Sequence, residues 1–98
     1  MALFLISRSP FEREEYKTAL RLAAMAPGSA VVLIQDGVVA AQFAPPAFRK
    51  MVEEARSRGV RFYALSEDLA ARGIAAREVE VITMKDLVDL IFEHRKVY

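Results

Sequence analysis

Ala30 to Ile34, AVVLI, is a continuous apolar run rich in β-branched residues, and Asp36-Gly37 closes it. A run of this length and composition reads as a strand buried on both faces of a parallel sheet. Such a strand has no polar side to turn to water, so it needs helices above and below. Amphipathic helical patterns precede and follow it, and strand then alternates with helix to the end of the chain. The expected fold is therefore α/β: one domain over residues 1–98, with a mostly parallel sheet of about four strands flanked by helices on both faces and joined by right-handed crossovers.

The other strands are expected at Ala2–Ile6, Val60–Leu65 and Val79–Ile82. Ser9 and Glu12 have the spacing of a capping box, and Pro10 suits a first helical position, which predicts a helix from there to about Met25. Tyr16, Ala19, Leu20, Ala23 and Ala26 share one face of it; Arg13, Lys17 and Arg21 form a stripe on another. The plain reading of that stripe is a solvated face eased by Glu14, and the sharper one is a dock for an acidic partner or an RNA backbone. Phe43-Ala44-Pro45-Pro46 is a rigid connection into a second helix, whose apolar face is Phe48, Met51, Val52 and Ala55. Arg49 with Glu53 and Lys50 with Glu54 are spaced there as ion pairs, and Gly59 suits a left-handed cap. Ser66 is expected to cap a short helix, Glu67 to Arg72, closed by Gly73. Thr83 with Asp86 predicts a cap for the last helix. On that helix Leu87, Val88, Leu90, Ile91 and Phe92 cover about half the circumference, more than one core-facing stripe needs, so part of it is a candidate interface. His94 reads as a surface residue compatible with the negative end of the helix dipole.

Cysteine is absent, which removes thiolate nucleophiles, persulfide carriage, disulfides and thiolate-ligated metals. The single imidazole, His94, has no G-x-S-x-G elbow to serve. No dinucleotide fingerprint, P-loop, H-E-x-x-H or calcium loop occurs, so no cofactor or metal is expected and the chain does not read as an enzyme. Lys plus Arg number 14 against 13 Asp plus Glu, which gives bulk charge no pull toward nucleic acid or membrane. The apolar runs are too short to span a bilayer, and the opening MALFLIS lacks a signal peptide's basic start and cleavage site; the expectation is a cytoplasmic protein. Hydrophobic residues make up 54%, above the ordinary share, and this points to apolar surface that ends in a subunit interface.

Function in open α/β sheets gathers beyond the carboxyl ends of the strands. Gln35, Asp36 and Gly37 lie there, with Ser66, Glu67 and Asp68 after the next strand. Gly37 is expected in a backbone conformation awkward for residues with a Cβ, and Asp36 is expected to bond nearby backbone N–H groups. Val38, Val39 and Phe43 follow on a connection where apolar side chains would be wasted on solvent, so they are expected to pack against another subunit. The same polar residues could hold a small anion at helix N-termini, although each also has a role as a cap or turn residue. Glu67-Asp68 as paired carboxylates, or a hydrolase centred on Asp36 and Glu67, has no supporting spacing.

LIQDGVVAA, Leu33 to Ala41, and FYALSEDLAARGI, Phe62 to Ile74, resemble the two signatures of the DsrH/TusB family of sulfur-relay subunits, and the opening FLISRSPF resembles that family's Ser-Pro start. The resemblance covers nearly the whole chain. It implies a DsrE-like, Rossmann-like three-layer sandwich that assembles with two related subunits into a heterohexamer; homo-oligomers stay open for the chain alone. One version of that complex passes persulfide sulfur toward 2-thiolation of the tRNA wobble uridine, and another serves sulfur oxidation. By the spacing of the related carrier subunits, Leu65 stands about where their cysteine would be. A chain with no cysteine at all departs from those family members that carry one, which favours the tRNA version, a role in assembly rather than carriage, and only indirect contact with tRNA. The competing class is a stand-alone module that binds a phosphate or nucleotide at the strand ends.

Overall fold

The computed structural model describes residues 2–98. In chain order the elements are β1 (Ala2–Ile6), α1 (Glu15–Ala24), β2 (Ala30–Leu33), a 3₁₀ helix (Gln35–Ala41), α2 (Pro46–Ser57), β3 (Arg61–Leu65), α3 (Ser66–Arg72), β4 (Glu80–Ile82), α4 (Met84–Glu93) and β5 (Lys96–Val97). The sheet runs β4-β3-β2-β1-β5, and every neighbouring pair is parallel. All four residues of β2 are buried, as the apolar run requires at the centre of such a sheet.

Connectivity divides the two faces unequally. The steps from β1 to β2, β3 and β4 all move toward the same edge, so right-handed crossovers place α1, α2 and α3 on one face. The step from β4 back across the sheet to β5 places α4 on the other. Side-chain alternation agrees with this. Phe4, Ile6, Val31, Leu33, Phe62 and Ala64 pack with Tyr16, Leu20, Val38, Phe48, Val52 and Leu69 in a thick layer. Leu3, Ala30, Val32, Tyr63, Leu65 and Ile82 form the opposite layer with Leu87 of α4. Each fully buried Leu or Val contributes roughly 1.5–3 kcal/mol relative to exposure, and both layers draw on the central strands for it.

Several local expectations are corrected. Helix α1 starts at Glu15 rather than Pro10. Ser9 is buried and closes its own turn instead: its Oγ accepts from Phe11 N at 3.3 Å, and its carbonyl accepts from Glu12 N and Arg13 N. Glu12 is thus no capping partner, and Arg13 lies outside the helix. The basic stripe loses its first member, and Lys17 is answered by Glu14 at 2.9 Å. On α2 the spaced pairs Arg49–Glu53 and Lys50–Glu54 are not formed; Glu54 meets Arg58 at 4.0 Å. Gly59 has φ +87, the left-handed conformation expected of it, and Gly73, which closes α3, takes the same conformation at φ +63. The strand beyond the expected four is β5, paired with β1 through Leu5 N to Tyr98 O and Tyr98 N to Leu3 O, each at 2.8 Å, while the Tyr98 ring stacks on Phe4.

Candidate interaction site

The end of β2 is held by two carboxylates and one guanidinium. Gln35 has φ +49, uncommon for a residue with a side chain, and its N–H donates to Asp68 Oδ2 at 2.7 Å. Arg72 donates from Nε to Asp36 Oδ1 at 3.1 Å and lies 3.7 Å from Asp68 Oδ1. Asp68 and Arg72 are a helix turn apart on α3, so this cluster ties the 3₁₀ helix to α3. Asp36 therefore bonds a side chain, and Asp68 makes the backbone bond expected of Asp36. Arg72, which the sequence reading passed over, was visible only as the i+4 partner of Asp68.

Gly37 is required for a different reason from the one expected. It is absent from the glycines with positive φ, and its N–H donates to Ile34 O at 2.8 Å. A Cβ here would overlap the Ile6 carbonyl oxygen and stand 2.8 Å from its carbon. The backbone after β2 is pressed against the end of β1, and only a hydrogen fits between. Val38 is fully buried in the thick layer, which corrects its placement on an exposed connection: the segment is a 3₁₀ helix that packs one side inward. Val39 is half-buried, and Phe43 is 54% exposed.

After β3, Ser66 is the first residue of α3 rather than its side-chain cap, and its Oγ donates to Glu67 Oε1 at 2.8 Å. Glu67 Oε2 accepts from Met84 N at 3.1 Å, across to the first residue of α4. These donors, with the Ser66 hydroxyl foremost and the N–H of Glu67 itself next, hold the Glu67 carboxyl below its ordinary range. The carboxylates at the strand ends are thus engaged in joining elements, and no hydrogen bond links Asp36 to Glu67 among the described residues. An anion brought to the end of β2 would meet Asp36 and Asp68, with Arg72 already committed to both. That speaks against the phosphate module at this place.

Helix α4 carries the other feature. The expected capping box is present: Thr83 Oγ1 accepts from Asp86 N at 3.3 Å, and Asp86 Oδ2 accepts from Thr83 N at 3.0 Å. The Thr83 N–H, and then its hydroxyl, lower the Asp86 carboxyl from its ordinary value. The inward side is Leu87, with Leu90 partly buried. Alongside it Met84, Val88, Ile91 and Phe92 are exposed, Phe92 by 84%. Their spacing of four, seven and eight residues puts them on one stripe. Val97 of β5, in register with Leu3, adds an exposed apolar group on the same face of the sheet.

Comparison with known proteins converges on one family. The family described as DsrH like protein matches residues 8–97. Protein TusB of Escherichia coli O1:K1 / APEC and of Escherichia coli O81 (strain ED1a) is 34% identical over 95 residues in each case, covering 94% of this chain and 93% of theirs. The solved structure of a protein of unknown function, MTH1491 from Methanobacterium thermoautotrophicum, superposes with a TM-score of 0.69 at 22% identity, over 97% of this chain and 95% of that one, and shows the same fold. With two separated motifs, the parallel α/β sheet and a match along nearly the full length in agreement, the chain belongs to the DsrH/TusB family.

Proposed function

We propose that this chain is a non-catalytic subunit of a TusBCD-like sulfur-relay complex in the cytoplasm, supporting 2-thiolation of the tRNA wobble uridine by assembly and not by carrying persulfide. The observation that carries the proposal is the apolar stripe of α4 on a chain that has no thiol. Without sulfur of its own the chain cannot accept or donate a sulfane atom covalently, so its part in a relay is to shape the complex or position the cysteine-bearing subunit. Four large apolar side chains aligned on one helix face suit the core of a protein interface, where such groups are enriched and charges depleted. The partners are two related DsrE-like subunits, in a heterohexamer. Contact with tRNA is indirect, in keeping with the balanced charge.

Quantification of 2-thiouridine in tRNA from cells that lack this chain tests the proposal. Loss of the modified nucleoside, restored by the wild-type chain but not by Phe92→Asp, is expected. Undiminished 2-thiouridine in the deletion strain overturns the tRNA role. Full restoration by Phe92→Asp overturns the use of α4.

A further inference from the structure

On the thick face, α2, the end of the 3₁₀ helix and the loop before β4 line a cavity of about 380 Å³. This is within the size range of small-molecule sites, roughly 300–1,000 Å³. Leu33, Phe48, Val52 and Phe62 give it an apolar floor drawn from the core. Three arginines line it: Arg49 and Arg56, two helical turns apart on one side of α2, and Arg77 from the loop. Arg56 is fixed in place. Its guanidinium lies 5.3 Å from the centroid of the Phe62 ring and donates to the carbonyl of Glu78, a residue held at φ +58. A side-chain-bearing residue in that left-handed region costs conformational energy, and such strain persists where surrounding contacts hold it. Arg77 is anchored through its backbone, whose N–H donates to Ala41 O at 2.8 Å. The guanidinium groups of Arg49 and Arg77 make no hydrogen bond or ion pair among the described residues. Two carboxylates, Glu53 and Glu78, also line the cavity, so positive charge stays in excess.

We propose that this cavity binds a small ligand that carries an anionic group, carboxylate or phosphate, on an apolar or aromatic body. The guanidinium fork matches either anion through paired N–H donors, and Arg49 and Arg77 have theirs free. The floor supplies the contact area that a bare ion would leave unused. Glu53 and Glu78 discriminate by repelling a second anionic group on the same ligand. This site is independent of assembly through α4, because its residues lie on the opposite face of the sheet.

The test is an amide NMR titration of the whole protein with phenyl phosphate and with benzoate; inorganic phosphate and benzyl alcohol serve as probes for each half of the ligand alone. Saturable shifts at Val52, Phe62 and Val79 are expected with at least one of the two combined probes, and the tighter one names the anion. Each single-feature probe should bind at least about tenfold more weakly. The double variant Arg49→Gln with Arg77→Gln should lose about tenfold or more in affinity with its melting temperature unchanged, since both side chains are exposed. Glu53→Gln should bind roughly threefold tighter. No saturable shift with either combined probe, equal binding by the double variant, or inorganic phosphate binding as tightly as phenyl phosphate would overturn the proposal.

Discussion

At Gly37 the chain is limited by the approach of two backbones: the peptide leaving β2 lies against the carbonyl of Ile6 at the end of β1. Gly37→Ala should destabilise the protein by about 1–3 kcal/mol, the usual range for forcing one extra methyl into packed structure, measured by urea denaturation. An unchanged midpoint would show that β1 can yield. Nearby, Asp68→Ala removes the acceptor for Gln35 N and should cost about 1 kcal/mol, again by denaturation. The sequence made Gly37 stand out but put the constraint in its own backbone conformation, because a glycine after Asp looks the same in either case. What decides between them is the distance to Ile6, a contact across the sheet that no local pattern encodes. Asp36 and Asp68 exchanged roles for the same reason: both are acids near a turn, and only the fold shows which one reaches Gln35.

Among the α-helices, the start of α4 was the most legible and that of α1 the least. Thr83 and Asp86 form the capping box that their spacing announces, whereas Ser9 and Glu12, with equally good spacing, do not. The difference is burial. Thr83 is exposed and free to serve its own helix, while Ser9 and Pro10 are drawn into the interior and end the turn there. Thr83→Ala should therefore cost about 1 kcal/mol, while Glu12→Ala, with no cap to break, should stay within about 0.5 kcal/mol. Acid should loosen α4 in particular. Glu67 and Asp86, which hold its N-terminus, both titrate below their ordinary values of 4.5 and 3.8 in the folded protein. Their contribution is complete above those values and is lost as the pH falls through the lowered folded ones. Amide exchange across α4 should accelerate on acidification relative to the intrinsic rate, and more than in β2. Equal acceleration in both would separate α4 from these carboxylates.

Taken whole, the molecule has one thick face under three helices and one thin face under α4, and that asymmetry follows from the order in which the strands join the sheet. The α/β class and the first four strands were readable because each strand carries its own apolar run. The two-residue strand β5 carries none, and it is held beside β1 by the Tyr98 ring on Phe4 and the backbone bonds that Tyr98 makes. The apolar breadth of the last helix pointed to an interface there, and the exposed stripe sharpens it to Met84, Val88, Ile91 and Phe92. Val38, assigned to that role from its place on a connection, serves the core instead. Assembly through α4 is tested most directly by native mass spectrometry of the chain co-expressed with the two DsrE-like subunits proposed as its partners. A heterohexamer is expected with the wild-type chain, and its loss with the double variant Val88→Asp, Phe92→Asp, whose isolated melting curve stays close to wild type. Desolvating the introduced charges costs several kcal/mol at an interface and little in water. A heterohexamer that survives both substitutions intact would contradict it.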